Sequence, residues 1–572
     1  MCQQSHRKNN NGEALIAGRG ARTPVINMGD EGVRASLAPD SPDNTYVELS
    51  WRNGSASFCG LPSGSFGTKT LGGHGIHGGW HWDGTTLTAE VDRYGFFSLF
   101  YAVEGNTIRL SPSLWQLAQR GSQLTPDRRA LGVFHRMGIF INDDTPIAGI
   151  KVLPPGGKLS WARGSLTIDR PDRTVTQQAI RRADAVDGMI EHFRKAIART
   201  LDTWSGPVIL PLSGGRDSRH ILLELVRQGR PPQACITFHH GGGSWNTEIK
   251  AARAICEAVG VRHEVLGRPR SRQADYLRAI ALTQLCADEH AQMMPLHDYF
   301  LEHGGVAAYD GIAGDILTNP DDHAEGYLRL ARSGDFDEIA RRMIAGHGRI
   351  ISRGEGAEGA GPLYSPGADE QTVAYVAEAI AAYADAPDPY QMFWLMHRTR
   401  REISFVAQGI LSPARAVFAP YLDADFVEFC ISLPYEVTRD QTLHDDAMRR
   451  AYPAYADVPF QEAFQPDPAL PTSVRHKLKS LADTARVARF LSPRAPLREV
   501  AALLGRGNPL HSGPNALYHL HNRLVETLTP GRARQLVDFS SQLEASRPRD
   551  LVSDIYEPPP NLRGPTATGY AG

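Results

Sequence analysis

The chain has 572 residues, more than one hydrophobic core usually serves, so two or three domains are expected. Its 61 basic and 63 acidic side chains nearly cancel, which argues against a global field that would bind nucleic acid or an anionic membrane. No apolar run approaches the roughly 20 residues needed to span a bilayer. The six cysteines are too widely spaced for a disulfide framework or a paired-cysteine zinc site, which predicts reduced thiols in a cytoplasmic protein.

The first part of the chain has the pattern of a β-rich domain. Residues 1–43 are polar and rich in Gly, Asn, Asp and Pro, which predicts a flexible arm. From 44 to 175, short alternating runs are separated by glycine turns, with Asp83-Gly84 and Glu104-Gly105 at the positions of hairpin turns. Residues 125–140 form the one segment of this domain that is predicted to be helical.

The hydrophobic period changes where a second domain is expected, over residues 176–540. Apolar side chains recur every three or four positions between 186 and 201, which predicts an amphipathic helix. Short apolar strands then alternate with helices up to about residue 266, which is typical of parallel α/β layering. The remainder is predicted to be mainly helical, with a glycine-rich break at 353–368, and residues 541–572 are predicted to be a disordered tail.

The first strand of this second domain runs directly into "SGGRDS", residues 213–218. Its glycines carry no Cβ and let consecutive backbone N–H groups point at one anion, while the following helix N-terminus adds positive charge. Asp217 would repel a polyanion unless a cation lay between them, and Mg²⁺ binds carboxylates together with phosphate oxygens. The sequence has no lysine-ended Walker loop. The loop therefore predicts bound magnesium pyrophosphate; the alternative is a glycine turn capped by Asp217 or Ser218.

A second aspartate-glycine stretch, "DGIAGD", covers residues 310–315. It follows a predicted strand, which places it at the carboxyl edge of the sheet, where open α/β folds bind ligands. Asp315 is predicted to be the second magnesium ligand, with Gly311 beside the nucleotide. The alternative is a loop aspartate that satisfies backbone N–H groups.

The SGGRDS loop and five sequence stretches in chain order, "DGIAGD" among them, resemble the asparagine synthetase family. The synthetase domain of that family carries an SGGxDS pyrophosphate loop. The similarity runs over roughly residues 90–460, and Glu248 occupies the acidic position of its third stretch. The five stretches are "VDRYGFFSLFYA" (91–102), "GIKVLPPGGKLSW" (149–161), "SWNTEIKAARAICEAVGVRHEV" (244–265), "DGIAGD" (310–315) and "APYLDADFVEFCISLP" (419–434).

The resemblance implies an α/β protein of two domains. Residues 44–175 would be a degenerate class II glutamine-amidotransferase-like domain with a β-rich, Ntn-hydrolase-like fold. Residues 176–540 would be an ATP-pyrophosphatase (PP-loop) synthetase domain, with a parallel sheet like that of the adenine nucleotide α-hydrolases and a helical C-terminal part.

The resemblance also implies a reaction. A carboxylate attacks the α-phosphorus of Mg²⁺-ATP to give an acyl-adenylate and pyrophosphate, and an amine then displaces AMP to leave an amide. Asp217 and Asp315 would hold the metal, and the expected catalytic set is Asp217, Asp315, His444 and Glu402. The residues expected to bind ATP or pyrophosphate are Leu212, Ser213, Gly214, Gly215, Asp217, Ser218, Thr237 and Gly311.

Some positions depart from the family pattern. Ile312 stands where the family has a catalytic glutamate, or a tyrosine in its β-lactam-forming branch. The family's lysine would fall within 442–453, where His444 is the nearest match, and Glu402 is the candidate for the missing base. Three cations nearby would supply the missing charge, or else form a solvated helix face; they are Arg398, Arg400 and Arg401.

The amine source and the acceptor stay open at this point. Cys2 coincides with the family's N-terminal nucleophile, yet a polar arm follows it and the glutamine-holding stretches have no counterpart. Ammonia or a substrate amine is therefore expected rather than glutamine. The acceptor would be a small-molecule or peptide carboxylate: asparagine synthesis, β-lactam formation and peptide macrocyclisation are all open, as are a non-catalytic nucleotide-binding remnant and a homodimeric assembly.

A histidine-rich stretch lies in the β-rich part. His74, His77 and His81 fall within eight residues and suggest a metal site. Because no acidic or cysteine residue is close in sequence, we predict a glycine-rich hairpin with half-exposed histidines instead.

Overall fold

The computed structural model describes most of the chain. The described residues are 45–171, 174–239, 246–267, 272–287, 290–319, 324–346, 366–467, 524–525, 527–545 and 551–561, with single positions between 474 and 490. The predictions for the arm at 1–43, for Cys2 and for most of the glycine-rich break lie outside these residues.

The N-terminal half is built from two antiparallel five-stranded sheets. The first has the order β2-β1-β7-β6-β8 and the second has the order β10-β9-β5-β4-β3. The strands are β1 (Val47–Arg52), β2 (Ser55–Gly60), β3 (Ser63–Gly67), β4 (His77–Trp82), β5 (Thr86–Val91), β6 (Phe100–Glu104), β7 (Thr107–Ser111), β8 (Ile150–Val152), β9 (Lys158–Ala162) and β10 (Ser165–Asp169).

Alternation of apolar side chains explains these strands. In β5, Leu87, Ala89 and Val91 are buried while the residues between them face outward. Gly84 and Gly105 adopt positive φ angles in the tight turns of the β4–β5 and β6–β7 hairpins. Both predicted hairpins are confirmed, as is the predicted helix, which spans Arg128–Met137.

A third sheet and most of the helices form the C-terminal half. Its strands are β11 (Val208–Pro211), β12 (Ala234–Phe238), β13 (His263–Leu266), β14 (Ala307–Tyr309), β15 (Ala416–Phe418) and β16 (Val552–Tyr556). The α-helices of the described residues, in both halves, are α1 (Leu114–Arg120), α2 (Arg128–Met137), α3 (Arg182–Thr203), α4 (Arg216–Arg227), α5 (Asn246–Val259), α6 (Arg272–Leu282), α7 (Met294–Glu302), α8 (Gly314–Thr318), α9 (Ala324–Arg332), α10 (Phe336–Gly346), α11 (Pro366–Ala381), α12 (Pro389–Trp394), α13 (Ala424–Ile431), α14 (Tyr435–Thr438), α15 (Leu443–Ala451) and α16 (Pro530–Ala545).

The order of the third sheet is β15-β14-β11-β12-β13-β16. Its first five strands are parallel, so the carboxyl ends of β11, β12 and β14 lie along one edge. The mixed α/β fold with one largely parallel sheet is therefore as predicted. The disordered tail predicted from residue 541 is wrong for β16, which pairs antiparallel with β13. Prolines lie on both sides of that segment in the sequence, but its backbone satisfies an otherwise open sheet edge.

The two halves are joined through a buried helix with π-type hydrogen bonding, Leu395–Ile403. Arg400 donates to the carbonyl oxygens of Gly95 (3.2 Å), Asn142 (3.0 Å) and Leu153 (2.8 Å), all in the N-terminal half. Its guanidinium also pairs with Asp143 at 3.0 Å. The side chain is 2% exposed, so this contact is enclosed by both halves.

Neither prediction is correct for Arg400 and Arg401, whereas Arg398 is partly exposed and pairs with Glu402 four residues further on, as predicted for a helix face. Arg401 is also fully buried, and it donates to the carbonyl of Asp144. Burial lowers the pKa of Arg401 to about 10. Because Arg400 and Arg401 face the N-terminal half, they form neither a solvated helix face nor a source of charge for the loop at 213–218.

Two further observations concern membranes and thiols. No helix in the described ranges is both long and apolar enough to cross a membrane. The cysteines at 59, 235, 256, 286 and 430 are unpaired thiols, as the spacing predicts.

We expect Arg400→Ala to lower the free energy of unfolding by about 3–5 kcal/mol, because it leaves three buried carbonyls without their donor and the Asp143 carboxylate with Arg170 as its remaining cation. Arg93→Ala is the matched control, since Arg93 also pairs across the halves, with Glu428, but both side chains are more than half exposed. It should cost less than about 1 kcal/mol. Urea unfolding measures both, and equal losses would contradict the role given to Arg400.

Candidate functional site

The loop at 213–218 connects β11 to α4 and is tied together by its own serines. The backbone N–H of Ser213 donates to Ser218 Oγ at 3.0 Å, and the two hydroxyl oxygens lie 3.1 Å apart. The N–H of Gly215 donates to Ser213 Oγ at 3.3 Å. The serines therefore fix the loop, which leaves its remaining N–H groups and the start of α4 to face a ligand.

Gly214 is required by the close approach of a second segment. A Cβ built at this position would lie 2.8 Å from Glu248 Cα, which belongs to the first turn of α5. It would also lie 2.7 Å from the Oε1 atom of Gln461. The loop is thus enclosed between α5 and a segment more than 200 residues further along the chain.

The second aspartate-glycine stretch packs directly on Asp217. A Cβ at Gly314 would lie 2.4 Å from Asp217 Cγ, and one at Gly311 would lie 3.2 Å from Asp217 Cβ. The nearby backbone N–H of Asp315 acts to lower the pKa of the Asp217 carboxyl. The two sequence-predicted stretches therefore meet at one carboxylate, at the carboxyl edge of β11 and β14.

Three carboxylates share this edge. The pKa of Asp217 is raised well above its usual range, first by burial and then by the charge of Asp315, with a smaller contribution from Asp310. Burial raises the pKa of Asp310 to about 7. In the described part of the chain, Asp217 Oδ1 and Asp310 Oδ2 are buried carboxylate oxygens without a hydrogen-bond partner. Buried carboxylates of this kind are stabilised by a proton or by a cation, and three of them beside a glycine loop form a donor set that fits Mg²⁺.

His444 lies beneath Asp217 in a buried polar network. Its Nε2 contacts His220 Nδ1 (3.0 Å) and the Tyr421 hydroxyl (3.2 Å), and its Nδ1 lies 3.3 Å from Thr318 Oγ1 and 3.5 Å from Asp217 Oδ1. The Thr318 hydroxyl donates its own proton to Gly314, so it can accept from a protonated Nδ1. A neutral ring with Nδ1–H satisfies these contacts.

The structure brings His444 to the loop but not in the predicted role. Burial, assisted by the Arg216 charge, lowers the pKa of His444 to about 3. A ring that is neutral and 0% exposed cannot supply the positive charge of a lysine to a ligand. His444 instead supports Asp217 from inside the protein.

The remaining predicted residues lie apart from the carboxylates. Leu212 and Thr237 lie at the ends of β11 and β12 with buried side chains, and the Thr237 hydroxyl donates to the Leu212 carbonyl at 2.6 Å. Glu402 is 1% exposed and pairs with Arg398 at 3.5 Å. No contact within the described residues joins Glu402 to Asp217, so the structure does not bring Glu402 to the loop.

Two site residues were missed by the sequence analysis. Asp310 follows β14 directly, and its position after a strand was a usable signal. Gln461 had none, since a single glutamine between Phe460 and Glu462 predicts no site. Only the packing of residues 453–467 against α4 and α5 brings Gln461 to Gly214.

The histidine-rich stretch has acidic neighbours in the structure that are distant in sequence, which the sequence analysis did not predict. His74 Nδ1 lies 3.2 Å from Asp423 Oδ2, and its Nε2 lies 3.9 Å from Asp425 Oδ2. These three residues are close enough to hold a metal ion. Arg199 already pairs with both carboxylates, however, so the cluster is compensated by a side-chain cation.

Comparison with known proteins gives no family assignment. No protein-family model matches the chain, and a search of curated proteins finds no significant relative.

Gly314→Ala should displace the Asp217 carboxylate, because the new methyl group cannot share its position. Losing one charge-assisted contact to a bound cation corresponds to about tenfold weaker binding or more. Calorimetry with Mn²⁺ and pyrophosphate measures the change. Gly326→Ala, in α9, is the control because nothing lies within 4 Å of its Cβ position. Unchanged binding in the Gly314 variant would show that cations bind elsewhere.

Proposed function

We propose that the protein is an ATP-dependent, AMP-forming ligase that adenylates a carboxylate and transfers the acyl group to an amine. The observation that carries this proposal is the meeting of the 213–218 and 310–315 loops at Asp217. A glycine loop at a helix N-terminus binds an anion, and a set of carboxylates beside it requires a cation. Magnesium pyrophosphate satisfies both requirements at once.

In this proposal each group of the site has a separate task. The backbone N–H groups of the loop and the N-terminus of α4 bind phosphate oxygens. Asp217 and Asp315 would hold Mg²⁺, with Asp310 as a third acidic neighbour. The ion would supply charge neutralisation of the leaving pyrophosphate. His444 and Tyr421 keep Asp217 in place from beneath: His444 Nδ1 lies 3.5 Å from its carboxylate, and the Tyr421 hydroxyl donates to its backbone carbonyl at 3.2 Å.

The N-terminal half is proposed to be a degenerate amidotransferase-like domain. Two antiparallel sheets that precede a largely parallel sheet are compatible with the resemblance to asparagine synthetases. The glutaminase function is not part of the proposal, because Cys2 lies outside the described residues. Ammonia or a substrate amine is the proposed nitrogen source.

Ile312 is the observation that favours a second candidate function, a protein that binds nucleotide without catalysis. Its side chain is 6% exposed and cannot take up a proton where the family has a glutamate or tyrosine. Either the substrate amine arrives deprotonated, or another group acts as the base, or the protein binds nucleotide without turnover. The last case is the non-catalytic remnant. The ligase would exchange pyrophosphate into ATP when a carboxylate is present, and the remnant would not.

ATP–pyrophosphate exchange with a panel of amino-acid and peptide carboxylates separates these candidates. The ligase predicts carboxylate-dependent exchange that falls on the order of 100-fold in Asp217→Asn, which keeps the side-chain shape but loses the charge. Asp187→Asn is the control, since Asp187 is a mostly exposed partner of Arg450. ATP binding without exchange for any carboxylate would favour the remnant instead.

A further inference from the structure

Residues 453–467, here called the strap, lie across the loop at 213–218. Arg219, the first residue after that loop, donates to the carbonyls of Val458 and Pro459, each at 2.7 Å. The same guanidinium stacks on the Phe460 ring, 3.8 Å from its centre. One part of the strap is thus fixed to α4, the helix that begins within the loop.

The C-terminal end of the strap is fixed to α5. Lys250 donates to the Gln465 carbonyl at 2.9 Å and to Asp467 at 2.6 Å. Lys250 lies two residues after Glu248, whose Cα approaches Gly214. The two anchors are therefore on α4, which begins within the loop, and on α5, which packs against Gly214, and they hold the residues between them at a fixed place.

Gln461 lies between the anchors and faces the loop. Its Oε1 would be 2.7 Å from a Cβ at Gly214, and its Cβ would be 2.8 Å away. Its side chain is half-buried and has no hydrogen-bond partner within the described residues. A half-turn of the amide exchanges Oε1 and Nε2, so its two N–H donors can be presented to a ligand on Gly214.

We propose that Gln461 is a phosphate-binding residue of the nucleotide site, which donates its side-chain N–H to a non-bridging oxygen of ATP and then of pyrophosphate. This inference rests on the proposed function. The alternatives near the loop are less suited: His444 is buried beneath Asp217, and Arg216 extends to Asp445 at 3.6 Å. The neutral amide of Gln461 would orient the bound phosphate by donating to it from the side opposite the loop N–H groups, without adding charge.

The proposal predicts an order of affinities among variants at one position. Gln461→Ala removes the donor and should weaken binding of pyrophosphate with Mg²⁺ by about 10-fold to 100-fold. Gln461→Glu keeps the size but adds negative charge, so it should bind at least as weakly. Gln461→Lys restores a donor and adds positive charge, so it should bind as well as the parent or better.

Calorimetric titration of the full chain with Mg²⁺ and inorganic pyrophosphate, and separately with ATP, measures these affinities. Gln465→Ala is the matched control, because the same residue type on the same strap has an exposed side chain and is held only through its carbonyl. It should bind like the parent. Thermal unfolding of every variant shows whether the strap remains folded.

The outcomes distinguish this inference from the proposed function. If the parent binds pyrophosphate and all Gln461 variants bind equally well, the inference is wrong while the proposed function stands. If the lysine variant is as weak as the alanine variant, Gln461 has a structural role and the inference is again wrong. If the parent binds neither pyrophosphate nor ATP, the proposed function fails and the inference fails with it.

Discussion

The site depends on a steric constraint at one carboxylate. Asp217 occupies the space that a Cβ at Gly314 would need, and a Cβ at Gly311 would lie 3.2 Å from Asp217 Cβ. Two loops from neighbouring parallel strands can approach this closely only where side chains are missing. The same approach brings Asp310 and Asp315 to Asp217, so the geometry that packs the loops also concentrates negative charge. A cation-dependent anion site is the simplest chemistry that uses both properties.

Rigidity of this arrangement comes from buried polar contacts on both sides of the sheet edge. Beneath the loop, the Tyr421 hydroxyl contacts both Asp217, in α4, and His444, in α15. His444 in turn contacts Thr318, in α8. Further away, Arg400 joins the π-helical segment to carbonyls of the N-terminal half. All of these groups are costly to bury unless they are paired. Tyr421 and His444 find their partners within the C-terminal half, whereas the pairing of Arg400 requires both halves to be folded.

Features set by local sequence could be predicted. The strand, glycine loop and helix around Ser213–Ser218 were predictable because glycine, serine and hydrophobic period act over a few residues. The strands of the parallel sheet were predictable for the same reason. The charge state of His444 was not, because it depends on burial by other helices. The charges at 398–401 predicted an exposed face, yet the acceptors of Arg400 lie 247–305 positions earlier in the chain. Gln461 and β16 likewise owe their roles to contacts with distant segments.

The central claim is that the edge formed by the two loops holds a divalent cation together with pyrophosphate. A crystal of the full chain soaked with Mn²⁺ and inorganic pyrophosphate tests it directly, because anomalous scattering locates the metal without knowledge of the acceptor. The account predicts an anomalous peak bound by Asp217 and Asp315, with pyrophosphate oxygens on the N–H groups of the 213–218 loop. Pyrophosphate bound at another surface, or metal bound only at the His74–Asp423–Asp425 cluster, would contradict it.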